Sequence, residues 1–180
     1  MGEQMASKEN VLIAIVAAAG EAGLDRAQLQ KSVFLVGKEF DRELPSDFYQ
    51  FQPYLYGPFA QGVYADIERL SDGPMIETFP GDDGRPFYRL AENDSDLHYS
   101  LSNTLESGVK NIVGWVSRMS SFYELVRAIY FLYPEQRENS VLQYSEKLAQ
   151  EESLVRSFRD IAAGRTRSVD KLIAELPEQD

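Results

Sequence analysis

Apolar residues recur at helical spacing from the start of the chain. Val11, Leu12, Ile15, Val16 and Ala19 form one inward stripe, Ser7 stands before them as an N-cap, and Gly23 is placed to close the helix. A second stripe follows a capping Asp25: Leu29, Val33, Phe34 and Phe40, with Leu35 and Val36 adjoining. Pro45 is expected to end that helix after Leu44. Two short helices joined by a tight turn have a helix-turn-helix outline, which many small helical units share. From Phe48 to Tyr56 the pattern changes to large aromatics, Phe48, Phe51, Tyr54 and Tyr56, and Pro53 within the run points to an edge strand or an extended loop. Gly57 permits a positive φ, and Pro58 suits the first turn of a third helix whose stripe is Phe59, Val63, Ile67 and Leu70. Ser71-Asp72-Gly73-Pro74 stops it. Two apolar runs, Met75-Ile76 and Phe87-Tyr88 with Leu90, then flank the turn Gly81-Asp82-Asp83-Gly84, as in a hairpin or wing. Helix followed by hairpin is the back half of a winged-helix unit, a scaffold that binds nucleic acid or protein.

From Asn93 onward the periodicity is helical throughout. One helix is expected over 97–119, with caps in Asp94-Ser95-Asp96 and Leu101, Leu105, Val109, Ile112, Val113 and Val116 inside. Ser120 or Ser121 caps the next, which carries Phe122, Leu125, Val126, Ile129 and Tyr130 to Pro134. Further helices are expected over 140–148, 151–163 and 168–176, before a frayed tail from Pro177. The expected fold class is therefore mainly α with a small β-hairpin. A winged-helix-like unit spans 1–92, and a helical extension over 93–180 packs on it as one globule.

Composition narrows the chemistry. The 180 residues contain no cysteine, which excludes disulfides, thiol catalysis and a cysteine-ligated metal. The longest apolar run, Val11 to Ala19, is too short to span a membrane, and it lies behind Glu3 and Glu9 rather than a basic leader. A cytoplasmic location is the expectation. The net charge of −11 is uneven: residues 1–100 hold 8 Lys/Arg against 17 Asp/Glu, and residues 101–180 hold 10 against 12. An acidic half of this kind repels phosphate backbones, although acidity also serves plain solubility.

Catalytic chemistry finds little to stand on. His98 is the only histidine, so any triad that needs one must use it. Asp94, Asp96 and His98 are metal-ligand types, but residues spaced two apart at a helix start point to different faces, which favours capping. Asp82-Asp83 lacks the oxygen spacing of a calcium loop, and the segment from Gly57 to Gly62 lacks the lysine and glycine spacing of a phosphate loop. No catalytic residue, metal or cofactor is expected.

Binding remains. As a recognition helix, the third helix would present Gln61, Tyr64, Ala65, Glu68 and Arg69, with Asp66 nearby, and the wing tip would present two aspartates. Gln61 and Arg69 are able to read bases, yet the surrounding acids disfavour that pose. A basic region lies further on, with Arg156, Arg159, Arg165, Arg167 and Lys171 against Asp160 and Asp170. It suits a phosphate backbone or an acidic protein, including the acidic half of a second copy in a homodimer. The aromatics Tyr49, Phe51, Tyr54, Tyr56, Phe59 and Tyr64 crowd the Gly57-Pro58 corner. Most are expected in the core, with Tyr54 and Tyr64 keeping a wet hydroxyl; Tyr54, Tyr56, Phe59 and Tyr64 are the candidate protein-binding set.

The order Leu29-Gln30-Lys31-Ser32-Val33-Phe34-Leu35, then Phe51-Gln52-Pro53-Tyr54-Leu55-Tyr56-Gly57-Pro58-Phe59, then Ala65-Asp66-Ile67-Glu68-Arg69-Leu70, resembles the YwgA-like and Panacea (SocA-like) domain proteins. Tyr130-Phe131-Leu132-Tyr133-Pro134-Glu135 is similar to a segment of the YwgA-like group. The resemblance covers about residues 10–140 and is most specific over Phe51–Leu70. It departs from the pattern at Ser71-Asp72-Gly73-Pro74-Met75-Ile76, where the family has a glycine-leucine-isoleucine lead into the wing, and it has no counterpart beyond Ser140. Panacea-type domains serve as antitoxins that neutralise unrelated toxins or as proteolytic adaptors, near phage and mobile-element genes. The resemblance thus implies a protein that occludes a protein partner, such as a toxin or defence-system component. A winged-helix transcriptional regulator contacting DNA through Gln61, Arg69, Arg165, Arg167 and Lys171 is the alternative.

Overall fold

The first helix forms where the apolar run begins. In a computed structural model, which describes residues 6–91, 100–142 and Asp160, α1 spans Lys8–Ala18, and the Ser7 hydroxyl accepts the Asn10 N–H at 3.1 Å. Every residue from Val11 to Val16 is buried, so α1 is enclosed on all sides rather than along one stripe. It ends at Ala18, short of Gly23, in a 3-10 turn over Gly20–Ala22. Strand β1 (Leu24–Asp25) leads into α2 (Arg26–Glu39). Its cap is reciprocal: Asp25 Oδ1 accepts the Gln28 N–H at 2.7 Å, and Gln28 Oε1 accepts the Asp25 N–H at 3.1 Å. Helix α2 stops before Leu44 because the chain leaves helical geometry at Phe40 (φ −124°, ψ 29°), which lets both Phe40 and Leu44 reach the core.

The aromatic stretch forms a small hairpin, β2 (Gln52–Tyr54) and β3 (Gly57–Phe59). Pro58 therefore belongs to a strand, and α3 (Gln61–Ser71) starts three residues later than the Gly-Pro signal suggested. The reason lies in the register, which sets Pro53 opposite Pro58. Neither proline has an N–H to give, so the pair occupies a position where the ladder needs none, and their carbonyls turn outward. Strands β4 (Ile76–Pro80) and β5 (Pro86–Leu90) pair about the Gly81–Gly84 turn, and β1 adds to β5 in an antiparallel sheet of order β1-β5-β4.

Helix α4 (Asn103–Ser117) begins at a Ser102 cap rather than near Leu97, and α5 (Phe122–Leu132) begins at a Ser121 cap. A 3-10 turn covers Pro134–Arg137. Residues 140–142 are not helical; the rest of the helix expected over 140–148, and those over 151–163 and 168–176, lie outside the described residues except for helical Asp160. The architecture is mixed α/β, with five α-helices and small antiparallel sheets among the described residues.

One apolar cluster joins α1, α2, α3, α4 and α5, with Leu12, Phe34, Ile67, Ile112 and Ile129 among its members. Each such side chain stabilises the fold by roughly 1.5–3 kcal/mol. Helix α4 packs against α1 and α2. Its Gly108 admits the Phe40 ring so closely that an added Cβ would lie 2.0 Å from Phe40 Cζ.

Candidate functional site

Three polar residues sit in the middle of α2, between the apolar Leu29 and Val33. Gln30, Lys31 and Ser32 are all buried. Burying polar groups is unfavourable unless they are paired, and here two of them grip the hairpin. Gln30 makes two hydrogen bonds to the Ala60 backbone: Nε2 donates to Ala60 O at 2.8 Å, and Oε1 accepts the Ala60 N–H at 3.1 Å. Lys31 Nζ donates to the outward carbonyl of Pro58 at 2.9 Å. Burial pushes the Lys31 ammonium down to about 8. The Leu29–Leu35 motif and the Tyr54–Phe59 motif are therefore parts of one structure, held by hydrogen bonds across about 30 residues of chain.

The hairpin is also held from its other edge. Asn139 Nδ2 donates to Pro53 O at 3.1 Å, and the Val141 N–H donates to Leu55 O at 3.0 Å. The Tyr130 hydroxyl lies 2.7 Å from Ser140 Oγ, and the ring lies against Gly57, whose φ of 88° needs glycine.

What this grip leaves outside is the tip. Tyr54 (47% exposed), Leu55 (39%) and Tyr56 (45%) project from it, and Tyr123 (57%) and Val141 (55%) complete the large exposed hydrophobics among the described residues. Ring contacts join most of them into two files. Tyr54 packs on Phe59 at 5.2 Å, Phe59 meets Tyr64 at 5.5 Å, and the Arg26 guanidinium covers Tyr64 at 5.3 Å. Tyr56 meets Phe122 at 5.6 Å, and Phe122 meets Tyr123 at 5.5 Å. Of the four residues nominated from sequence, Tyr54 and Tyr56 are exposed while Phe59 and Tyr64 are half-buried supports. Burial pushes the Tyr64 hydroxyl pKa up, against the pull of Arg26. Leu55, Phe122, Tyr123 and Val141 were not nominated. Tyr123 shares its helical spacing with the buried Val126 and Tyr130, so periodicity holds no signal that would have found it.

The alternative nucleic-acid face is self-neutralised. Gln61, Ala65, Glu68 and Arg69 are exposed on α3, as expected, but Arg69 Nη2 pairs with Glu9 at 2.6 Å and Asp66 at 3.3 Å. Glu68 pairs with Arg26 at 3.3 Å. Asp66 also accepts the Tyr49 hydroxyl at 2.9 Å and faces Lys8 at 3.4 Å. Burial raises the Asp66 pKa, and these donors together outweigh it and bring the carboxyl below its ordinary value. On the β4–β5 turn, Asp83 is bound by Arg85. Arg165, Arg167 and Lys171, and likewise Asp94, Asp96 and His98, lie outside the described residues. Among the described residues no group of three His, Cys, Asp or Glu is placed to hold a metal ion, and no helix is long and apolar enough to cross a membrane.

Compared with protein-family models, curated proteins and solved structures, the chain finds no match.

Proposed function

We propose that this is a non-enzymatic binding module that covers a surface of another protein with its hairpin tip, in the manner of an antitoxin or defence-associated component. The observation that carries the proposal is the exposure of Tyr54, Leu55 and Tyr56 on one hairpin tip, to which Tyr123 is joined through Phe122 and Val141 through the Leu55 carbonyl. Exposed apolar side chains scattered singly need no explanation, whereas a gathered patch marks an interaction site. Tyrosines suit the purpose because they bring large, rigid contact area with few rotatable bonds. The backing of Gln30, Lys31 and Asn139 holds the tip before a partner arrives, which reduces the ordering that binding requires. The acidic N-terminal half favours a basic partner, including one whose own target is nucleic acid.

The scaffold fits a winged-helix-like unit. The order helix, strand, helix, helix, strand, strand, with β1 beside the last strand of the β4–β5 hairpin, supports that reading, and β2–β3 is an insertion before its third helix. Substituting Tyr54 and Tyr56 with alanine should weaken the complex while the chain stays folded. Unchanged affinity would remove this patch as the contact.

The same element order favours a second reading, a DNA-binding regulator positioned by Arg165, Arg167 and Lys171. Its affinity would then fall steeply with salt, and Arg165→Ala with Arg167→Ala would flatten that slope. A salt-insensitive affinity would sink this reading.

A further inference from the structure

The β2–β3 hairpin lies in a stretch of the chain without formal charge. No Asp, Glu, Lys, Arg or His occurs from Phe48 to Ala65, in a chain that is 26% charged. A contact made by this stretch strips water from no ion of its own, and it offers no ion to a partner. What it presents is the rings and hydroxyls of Tyr54 and Tyr56, the Leu55 side chain, and the exposed amides of Gln52 and Gln61 on either side.

The backbone of the hairpin narrows the class of partner. Three of its carbonyls are already taken: Asn139 donates to Pro53 O, the Val141 N–H to Leu55 O and Lys31 to Pro58 O. Neither Pro53 nor Pro58 has an N–H to offer. A partner strand, which pairs through free backbone groups along an edge, therefore finds them occupied on both sides of the hairpin. An amphipathic helix needs an apolar groove for side chains spaced three and four apart. The tip projects instead, and of Tyr54, Leu55 and Tyr56 only Leu55 is aliphatic.

Aromatic faces and hydroxyl donors remain. Tyr54 packs on Phe59 at 5.2 Å and Tyr56 on Phe122 at 5.6 Å, so each exposed ring is backed by a second one. The hydroxyls of Tyr54, Tyr56 and Tyr123 bond to no described residue and are available to donate. A polyproline II helix complements that set. Its proline rings pack on aromatic faces, and its carbonyls have no internal partner, so they accept from hydroxyls and amides. Prolines bring no N–H that would need an acceptor.

We propose that the hairpin tip binds a proline-rich segment in the polyproline II conformation, with Tyr54 and Tyr56 packing on proline rings and donating to its carbonyls. The proposal rests on the reading of the tip as a protein-binding surface and names the kind of segment it takes. The acidity of the N-terminal half acts at longer range, on the protein that carries the segment.

Decaproline blocked at both ends tests it on the full chain, against a blocked glycine-serine decapeptide that is equally uncharged but has no preformed helix. Titration followed by calorimetry and by the tyrosine ring signals in NMR should show submillimolar binding of decaproline, about tenfold or more tighter than the glycine-serine peptide. Tyr54→Ala/Tyr56→Ala should weaken decaproline by about tenfold or more. Equal affinity for the two peptides, or no binding of decaproline at about 1 mM, would overturn the proposal. Undiminished binding of decaproline by a folded double variant would overturn it as well. The peptide comparison uses the unmodified chain, so it stands even where the double variant does not fold. Decaproline left unbound, beside a cellular partner that the double variant loses, overturns the proline-rich segment alone, whereas a partner that the variant keeps overturns the tip itself.

Discussion

Replacing Lys31 with methionine separates the two opposite effects of a buried ammonium. Its pKa falls from 10.5 to about 8 on folding because the helix and hairpin strip it of water. At about 1.36 kcal/mol per pKa unit, carrying that charge at pH 7 opposes folding by roughly 3 kcal/mol. The folded pKa is the lower one, so between about pH 8 and pH 10.5 the unfolded chain binds more protons, and stability rises with pH across that window. Below pH 8 both states are charged and the penalty stays constant. Between pH 7 and pH 10 the wild type should therefore gain about 2.5 kcal/mol that Lys31→Met does not. The neutral amine still donates to Pro58 O, which the variant leaves unpaired at a cost of about 1–3 kcal/mol. The two proteins should thus be close in stability near neutral pH, with the wild type ahead at pH 10. Urea unfolding at a series of pH values, followed by the fluorescence of buried Trp115, reads this directly. Taking the difference between the proteins removes groups common to both, such as Tyr49, whose hydroxyl burial pushes up. Parallel stability curves over the whole range would refute the claim that Lys31 is buried and charged.

Gln30→Leu leaves the buried Ala60 N–H without its partner and the Ala60 C=O with the Val63 N–H alone, and should destabilise the protein by about 1–3 kcal/mol in urea unfolding; a change below about 0.5 kcal/mol would remove the hairpin grip. Gly108→Ala should lose about 1–3 kcal/mol or more, since the methyl meets the Phe40 ring, and Phe40→Leu in the same chain should recover part of the loss in a double-mutant cycle. Asp66 has a lowered folded pKa, so its stabilisation is present above its ordinary value of 3.8 and is lost as pH falls below it. Asp66→Asn should accordingly lower stability at pH 7 and flatten the acid limb of the stability profile, and an unchanged acid limb would contradict the network with Tyr49, Lys8 and Arg69.

Local signals carried the parts of the fold that local chemistry decides. Ser7, Asp25 and Ser121 cap the helices they precede, and Gly81–Gly84 turns the hairpin, because each acts within four or five residues of itself. Pro58 misleads for the opposite reason. A Gly-Pro step before an apolar stripe is a helix start in isolation, and only Pro53 across the hairpin and Lys31 from α2 make it a strand. Gln30 and Lys31 carry no mark in sequence that distinguishes a buried grip from a solvated helix face, because their acceptors lie 30 and 27 residues away. The aromatic corner was legible as a cluster, but which of its members stay outside is set by how closely the hairpin is held. Tyr123 and Val141 join the tip from distant parts of the chain.

As a protein-binding surface, the hairpin tip should hold a partner inside the cell. The most direct test is tagged purification from the native cell after nuclease treatment, comparing the wild type with Tyr54→Ala/Tyr56→Ala by quantitative mass spectrometry, with urea unfolding as the control for folding. A stoichiometric protein should survive nuclease and moderate salt with the wild type and be lost from an equally stable double variant. Equal recovery of that partner by the variant, or nuclease-sensitive nucleic acid as the sole companion of the wild type, would contradict it.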